Sequence, residues 1–121
     1  MRSFQILLLA LILVGCGQKP VSYRDQIQPI LTARCVACHG PEVSRAKIVL
    51  ASYQELMNSK TRSGKQPLVT PGNLEESRLY VLCSTIQSQF RMPPDTSHTT
   101  PLPNEDLVLL SKWILQGAKD N

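Results

Sequence analysis

Aromatic residues are scarce in this chain: two Phe, one Trp and three Tyr among 121 residues. A single domain of this length cannot build a large core from so few rings. It gains from something apolar held at its centre. Long hydrophobic runs are missing too. The longest, Phe4 to Val14 interrupted by Gln5, is about half of the roughly 20 residues a membrane-spanning helix needs. Four cysteines, unevenly placed, are too few for a dense disulfide framework. No phosphate loop is present: Gly64-Lys65 lacks both the upstream glycine and the following Ser or Thr. No aromatic residues interleave with the basic ones as base stacking requires, so no nucleic-acid partner is expected. What the chain does have is nine prolines and a net charge of +4, the marks of a loop-rich, basic domain.

The first residues have the layout of an export signal. Arg2 is the charged start, Phe4 to Val14 the apolar stretch, and Gly15 the small exit residue. Leu13-Val14-Gly15-Cys16 resembles the lipobox of bacterial lipoproteins, in which the cysteine is acylated and becomes the mature N-terminus. The expectation is a removed signal peptide over 1–15, a lipidated N-terminus and tether over 16–22, and a folded domain over 23–119. The protein would then be exported to the bacterial periplasm or cell envelope and anchored to a membrane through Cys16, several acyl chains giving stable attachment. The plainer alternative is an ordinary cleaved signal with an incidental cysteine.

Cys35-Val36-Ala37-Cys38-His39 is a C-x-x-C-H pentapeptide, the attachment signature of a c-type haem. The two thiols are spaced to add across two vinyl groups of one porphyrin, and His39 follows where it can ligate the iron. Downstream, Arg91-Met92-Pro93-Pro94 offers a methionine braced by two prolines. A lone Met ordinarily fills core space, but a haem needs a sixth ligand and Met is a known partner of His. The candidate set is therefore one covalent haem c, held by Cys35 and Cys38, with His39 and Met92 as axial iron ligands.

Periodicity supplies helices around this motif. Tyr23, Ile27, Ile30 and Leu31 make one apolar face of a helix from Val21 to Arg34, capped by Ser22 or Asp25, which either begins near Asp25 with Pro29 close to its first turn or bends at Pro29. Gly40-Pro41 ends it. Ser52-x-x-Glu55 predicts a short helix near 53–58. Asn73-x-x-Glu76 and the apolar set Leu79, Leu82, Cys83, Ile86 predict a helix over 74–86. Asn104 is expected to cap a last helix over 105–116, with Leu107, Leu110 and Ile114 inward, Trp113 beside them and Gly117 as the stop. Cys83, on an apolar face, reads as a small buried hydrophobe, and His98, in a polar run, as a solvated loop residue. Arg45, Lys47, Lys60, Arg62 and Lys65 crowd the middle of the chain. They are either scattered solvated charge or a patch that steers the domain toward an acidic partner or anionic lipid.

The helix into Cys35-x-x-Cys38-His39-Gly40, the phrase Thr70-Pro71-Gly72-Asn73 running on to Ser77-Arg78-Leu79-Tyr80, the loop Met92-Pro93-Pro94 and the ending Trp113-Ile114-Leu115-Gln116-Gly117-Ala118 together resemble the planctomycete-type branch of the cytochrome c family. The resemblance spans about 23–118. It implies an all-α cytochrome c-like fold, N- and C-terminal helices crossing beside the haem, and electron transfer. One departure stands out: where the family often has a glycine-rich connection after the haem motif, this chain has Val43-Ser44-Arg45-Ala46-Lys47-Ile48.

The reading that follows is an electron carrier rather than an enzyme, exchanging single electrons with redox protein partners. With both axial positions filled there is no vacancy for substrate. His/Met ligation and an apolar lining from helices 23–34, 74–86 and 105–116 would raise the potential. The other ring nitrogen of His39 should donate to a backbone carbonyl, with Pro41 a candidate by its closeness in sequence. Two other classes compete. One is a haem-based gas-binding or sensor domain with a weak sixth ligand, or with His98 in that place. The other has no haem, with Cys35, Cys38, Cys83 and His98 as a Cys₃His zinc site or Cys35 and Cys38 as a redox dithiol.

Overall fold

The computed structural model describes residues 17–96 and 98–121; the signal peptide expected over 1–15 and the lipidation expected at Cys16 lie outside the described residues. Four α-helices carry the fold: α1 (Gln28–Arg34), α2 (Tyr53–Asn58), α3 (Arg78–Ser84) and α4 (Asn104–Leu115). A π-helical turn, Tyr23–Ile27, runs into α1, and a 3-10 turn spans Arg45–Lys47. Among the described residues the only β-type pairings are isolated bridges, so the all-α expectation holds. No helix among them is long and apolar enough to cross a membrane.

The first helical stretch shows how Pro29 is accommodated. Ser22 caps it, its hydroxyl accepting from the Asp25 N–H at 3.2 Å. The backbone then opens into the wider π-turn, Ile27 N–H reaching back to Ser22 C=O and Gln28 N–H to Tyr23 C=O. Pro29 falls at the start of α1, where its missing N–H costs little. Cys35 and Val36 both donate to Leu31 C=O, and His39 to Cys35 C=O at 2.8 Å. The haem motif therefore continues the coil as turns beyond α1 rather than lying within it.

The core is a clamp made by the two ends of the domain. Tyr23, Ile27 and Leu31 pack with Leu110, Trp113 and Ile114 of α4, all buried. Tyr23, Tyr53 and Trp113 form an aromatic cluster with ring centroids 5.1 to 6.5 Å apart, a spacing at which edge and tilted contacts are favourable. Trp113 Nε1–H donates to Lys119 C=O at 2.9 Å, and the Tyr53 hydroxyl donates to Ala118 C=O at 2.9 Å. Backbone groups close the ends together: Tyr23 N–H donates to Asn121 Oδ1 at 2.9 Å, and Arg24 N–H to Asn121 C=O at 3.0 Å. Three of the six aromatic residues thus meet where they join segments far apart in sequence.

Two predicted helices differ in extent. The helix expected over 74–86 is confined to Arg78–Ser84. Upstream, Asn73 Oδ1 accepts from Glu76 N–H at 3.1 Å, as a capping box would. The fully buried Ser77 hydroxyl accepts from Thr70 N–H at 3.0 Å and donates to Asn73 C=O at 2.6 Å. These bonds fold 70–77 into a compact turn instead of a helical start. Downstream, Ile86 is 93% exposed, off the apolar face assigned to it. In α4, Asn104 is the first helical residue and Pro103 holds the cap position without a side-chain bond. Gly117, at φ 101°, ends that helix as expected. Ser52 caps α2 as read, Glu55 N–H donating to its hydroxyl at 3.3 Å, while the Glu55 carboxylate accepts from that hydroxyl at 2.9 Å rather than from the Ser52 N–H of a full capping box.

Candidate haem site

Cys35, Cys38, His39 and Met92 all line one cavity of about 570 Å³, within the range of cofactor pockets. Its remaining wall is mostly aliphatic, from Ile48, Leu50, Leu68, Leu79 and Leu82. α1 delivers the cysteines and His39 to one side. α3 supplies Leu79, Leu82 and Cys83, and the Met92 loop is fastened to that helix by a 3.0 Å bond from Met92 N–H to Leu82 C=O. Contrary to expectation, α4 contributes no residue to the lining. It packs against the first helical turn and α3, one layer behind the cavity.

Local geometry fixes His39. Its Nδ1 lies 3.1 Å from Arg45 C=O, so the proposed orienting carbonyl is that of Arg45, not Pro41. A proton on Nδ1 leaves the Nε2 lone pair free to ligate. The carbonyl is presented by a strained turn. Ala46 and Lys47 are both left-handed, at φ 57° and 61°, in the stretch that departs from the family's glycine-rich connection. Arg45 N–H donates to Cys38 C=O at 3.0 Å, and Leu50 N–H to His39 C=O at 2.7 Å. The motif and the turn thus brace one another. Gly40 allows the close approach: a Cβ there would lie 2.5 Å from the Val36 carbonyl oxygen.

The cavity is selective in its electrostatics. Arg34, Arg45, Arg62 and Arg78 line it, and no Asp or Glu does. Burial pushes the Cys35 thiol up to about 11, with Arg34 opposing the rise. Burial, then the neighbouring Cys35, pushes Cys83 up to about 12, so Cys83 is a protonated, buried thiol, as read. It also lines the cavity wall, a place its spacing on an apolar face did not reveal. His98 is exposed and lines neither this cavity nor the shallower one beside it. Among the described residues no three His, Cys, Asp or Glu side chains gather to hold a bare metal ion, so Cys35, Cys38, Cys83 and His98 do not form the Cys₃His alternative.

These residues fit a haem. An apolar slot, two thiols and a ring nitrogen on one wall, a thioether also on the lining and four guanidinium groups suit a large apolar ring that carries two carboxylates. Of the fitting residues, the Arg45 carbonyl and Arg34 and Arg78 escaped the sequence reading. A backbone acceptor leaves no residue-type signal, and single arginines on helices look like solvated charge.

A helical domain with C-x-x-C-H on the wall of an apolar cavity defines a small haem-attachment domain. The family model described as planctomycete cytochrome C matches residues 35–96, just over half of the chain. The chain belongs to that family, which points to a haem-binding electron carrier and implies covalently bound haem c. No match was found among curated proteins or among solved structures.

Proposed function

We propose that this protein is an exported, membrane-tethered, mono-haem c-type cytochrome that carries single electrons between redox proteins. The observation that carries the reading is the convergence of Cys35, Cys38, His39 and Met92 on one apolar cavity, with His39 Nδ1 occupied by the Arg45 carbonyl. Cys35 and Cys38 would hold the haem by thioether bonds, and His39 Nε2 and Met92 Sδ would ligate its iron. When bound, the haem supplies reversible one-electron chemistry. The Arg45 carbonyl keeps the imidazole in the ligating tautomer, and the aliphatic wall limits water near the iron and disfavours the more charged ferric form. With His39 and Met92 both engaged, the iron would have no place for substrate, and the domain would act as a carrier rather than an enzyme. The tether rests on the export signal and lipobox pattern ending at Cys16, followed by the exposed Gly17–Pro20 segment before buried Val21.

Haem staining on a denaturing gel, with optical spectra of the oxidised and reduced exported protein, tests this. A covalent, low-spin haem is expected. Absence of covalent haem sinks the reading, and tight CO binding by the native reduced protein would replace it with a ligand-binding one. Loss of membrane association on Cys16→Ala tests the tether.

A further inference from the structure

Two basic segments distant in sequence meet at the rim of the haem cavity. Ala46, Thr61, Arg62 and Ser63 line both that cavity and a second, shallower concavity, which Lys47 and Lys60 also line. Arg45, Lys47, Lys60 and Arg62 are all exposed, and among the described residues none of them enters an ion pair. The acid on the second concavity is Glu55, whose carboxylate already accepts from the Ser52 hydroxyl at 2.9 Å. The loop that carries Lys60 and Arg62 is an ordered turn: Thr61 N–H donates to Gln66 C=O at 2.8 Å and Gly64 N–H to Thr61 C=O at 2.7 Å. The backbone positions that carry Lys60 and Arg62 are therefore fixed at the rim.

We infer that this edge, Arg45, Lys47, Lys60 and Arg62, is the docking face for an acidic electron-transfer protein, and that electrons cross there. The inference rests on the electron-carrier reading above. The two carboxylates of a haem cannot account for the set, because Lys47 and Lys60 line the second concavity and not the haem cavity. A protein partner fits better than an anionic membrane. Arg45 and Arg62 belong to the wall of the redox cavity itself, so a carboxylate-bearing surface seated on them lies against the group that exchanges electrons. A bilayer there would block that exchange. The concavity also receives protruding acidic side chains, and a positive edge raises the encounter rate with a negative partner by about ten- to a thousandfold.

The test uses the haem-loaded exported protein and two small oxidants of opposite charge, hexacyanoferrate(III) and tris(phenanthroline)cobalt(III), each taking one electron from the reduced protein. Rates with the anionic oxidant should fall as salt rises, and those with the cationic oxidant should rise. The triple variant K47E/K60E/R62E should lower the anionic-to-cationic rate ratio about tenfold or more, whereas K112E, an exposed change on α4, should leave it within twofold. Poly-L-glutamate should shift amide signals of residues 45–47 and 60–63. Salt-independent rates, an unchanged ratio in the triple variant, or a footprint at these residues from anionic vesicles but not from polyglutamate would overturn the docking face. A chain that holds no covalent haem would instead defeat the electron-carrier reading beneath it.

Discussion

The His39 ring is oriented by Arg45 through Arg45's backbone, Nδ1 lying 3.1 Å from the carbonyl oxygen, in a turn whose next two residues are left-handed without being glycine. A left-handed non-glycine residue costs roughly 1 kcal/mol or more, while adding a glycine costs about 0.5–1 kcal/mol through the unfolded chain. Ala46→Gly is therefore expected to be neutral or to stabilise by about 0.5 kcal/mol, and Ala46→Val, β-branched at the same φ, to destabilise by about 1–3 kcal/mol. Denaturant midpoints of the two variants check this. A strongly destabilising glycine would contradict the turn geometry.

Gly40→Ala tests the close packing behind the motif. The new Cβ would meet the Val36 carbonyl oxygen at 2.5 Å and its Cγ1 at 3.0 Å, and a backbone carbonyl cannot rotate away as a side chain can. A loss of about 1–3 kcal/mol is expected, together with reduced covalent haem per chain, since Gly40 adjoins His39. Equal stability and equal haem content would show that the helical turn over 36–40 yields easily.

Met92→Ala separates the axial assignment from its alternatives. Met92 is 41% exposed yet lines the cavity, and its N–H is fixed to α3. The variant should keep its covalent haem, lose the low-spin spectrum, bind CO readily when reduced and shift to a lower potential. His98→Ala, altering an exposed loop residue, should change none of these. An unaltered spectrum in Met92→Ala would remove Met92 from the iron.

Tyr23 is nearly inaccessible and its hydroxyl has no hydrogen-bond partner among the described residues. Burial, with smaller contributions from Asp120 and Glu55, pushes its phenol up from 10.0 to about 12. Below pH 10 the phenol is protonated in folded and unfolded chains alike. Between about 10 and 12 the unfolded chain ionises while the folded one holds its proton, so folding stability falls as pH rises. Tyr23→Phe should flatten this alkaline loss and add about 1 kcal/mol at neutral pH by deleting an unsatisfied group. A variant less stable than the parent at pH 7 would point to a partner for that hydroxyl.

Much of the site was legible because it is written in residue types. The C-x-x-C-H pentapeptide and the Met-Pro-Pro loop stand out by residue type alone, and both line one cavity. The Ser52 cap and the Gly117 stop were equally plain. The misreadings share a physical origin. Ser77, polar and buried, diverts the backbone of 70–77 into side-chain bonds, which no apolar period records. Ile86 continues the period of α3 but lies beyond its end at Ser84. The Arg45 acceptor is a peptide group created by an unusual turn. The basic residues at 45–47 and 60–62 looked scattered because their convergence depends on two loops returning to one rim.

Asn121 is joined to Tyr23 through its side chain and to Ser22 and Arg24 through its carbonyl, and neither residues 17–33 nor 100–121 line either concavity. Whatever chain is attached at one end therefore departs beside whatever is attached at the other. The proposed tether at Cys16 would leave the domain beside Asn121, on segments that line neither concavity, and anchoring there would keep the rim open.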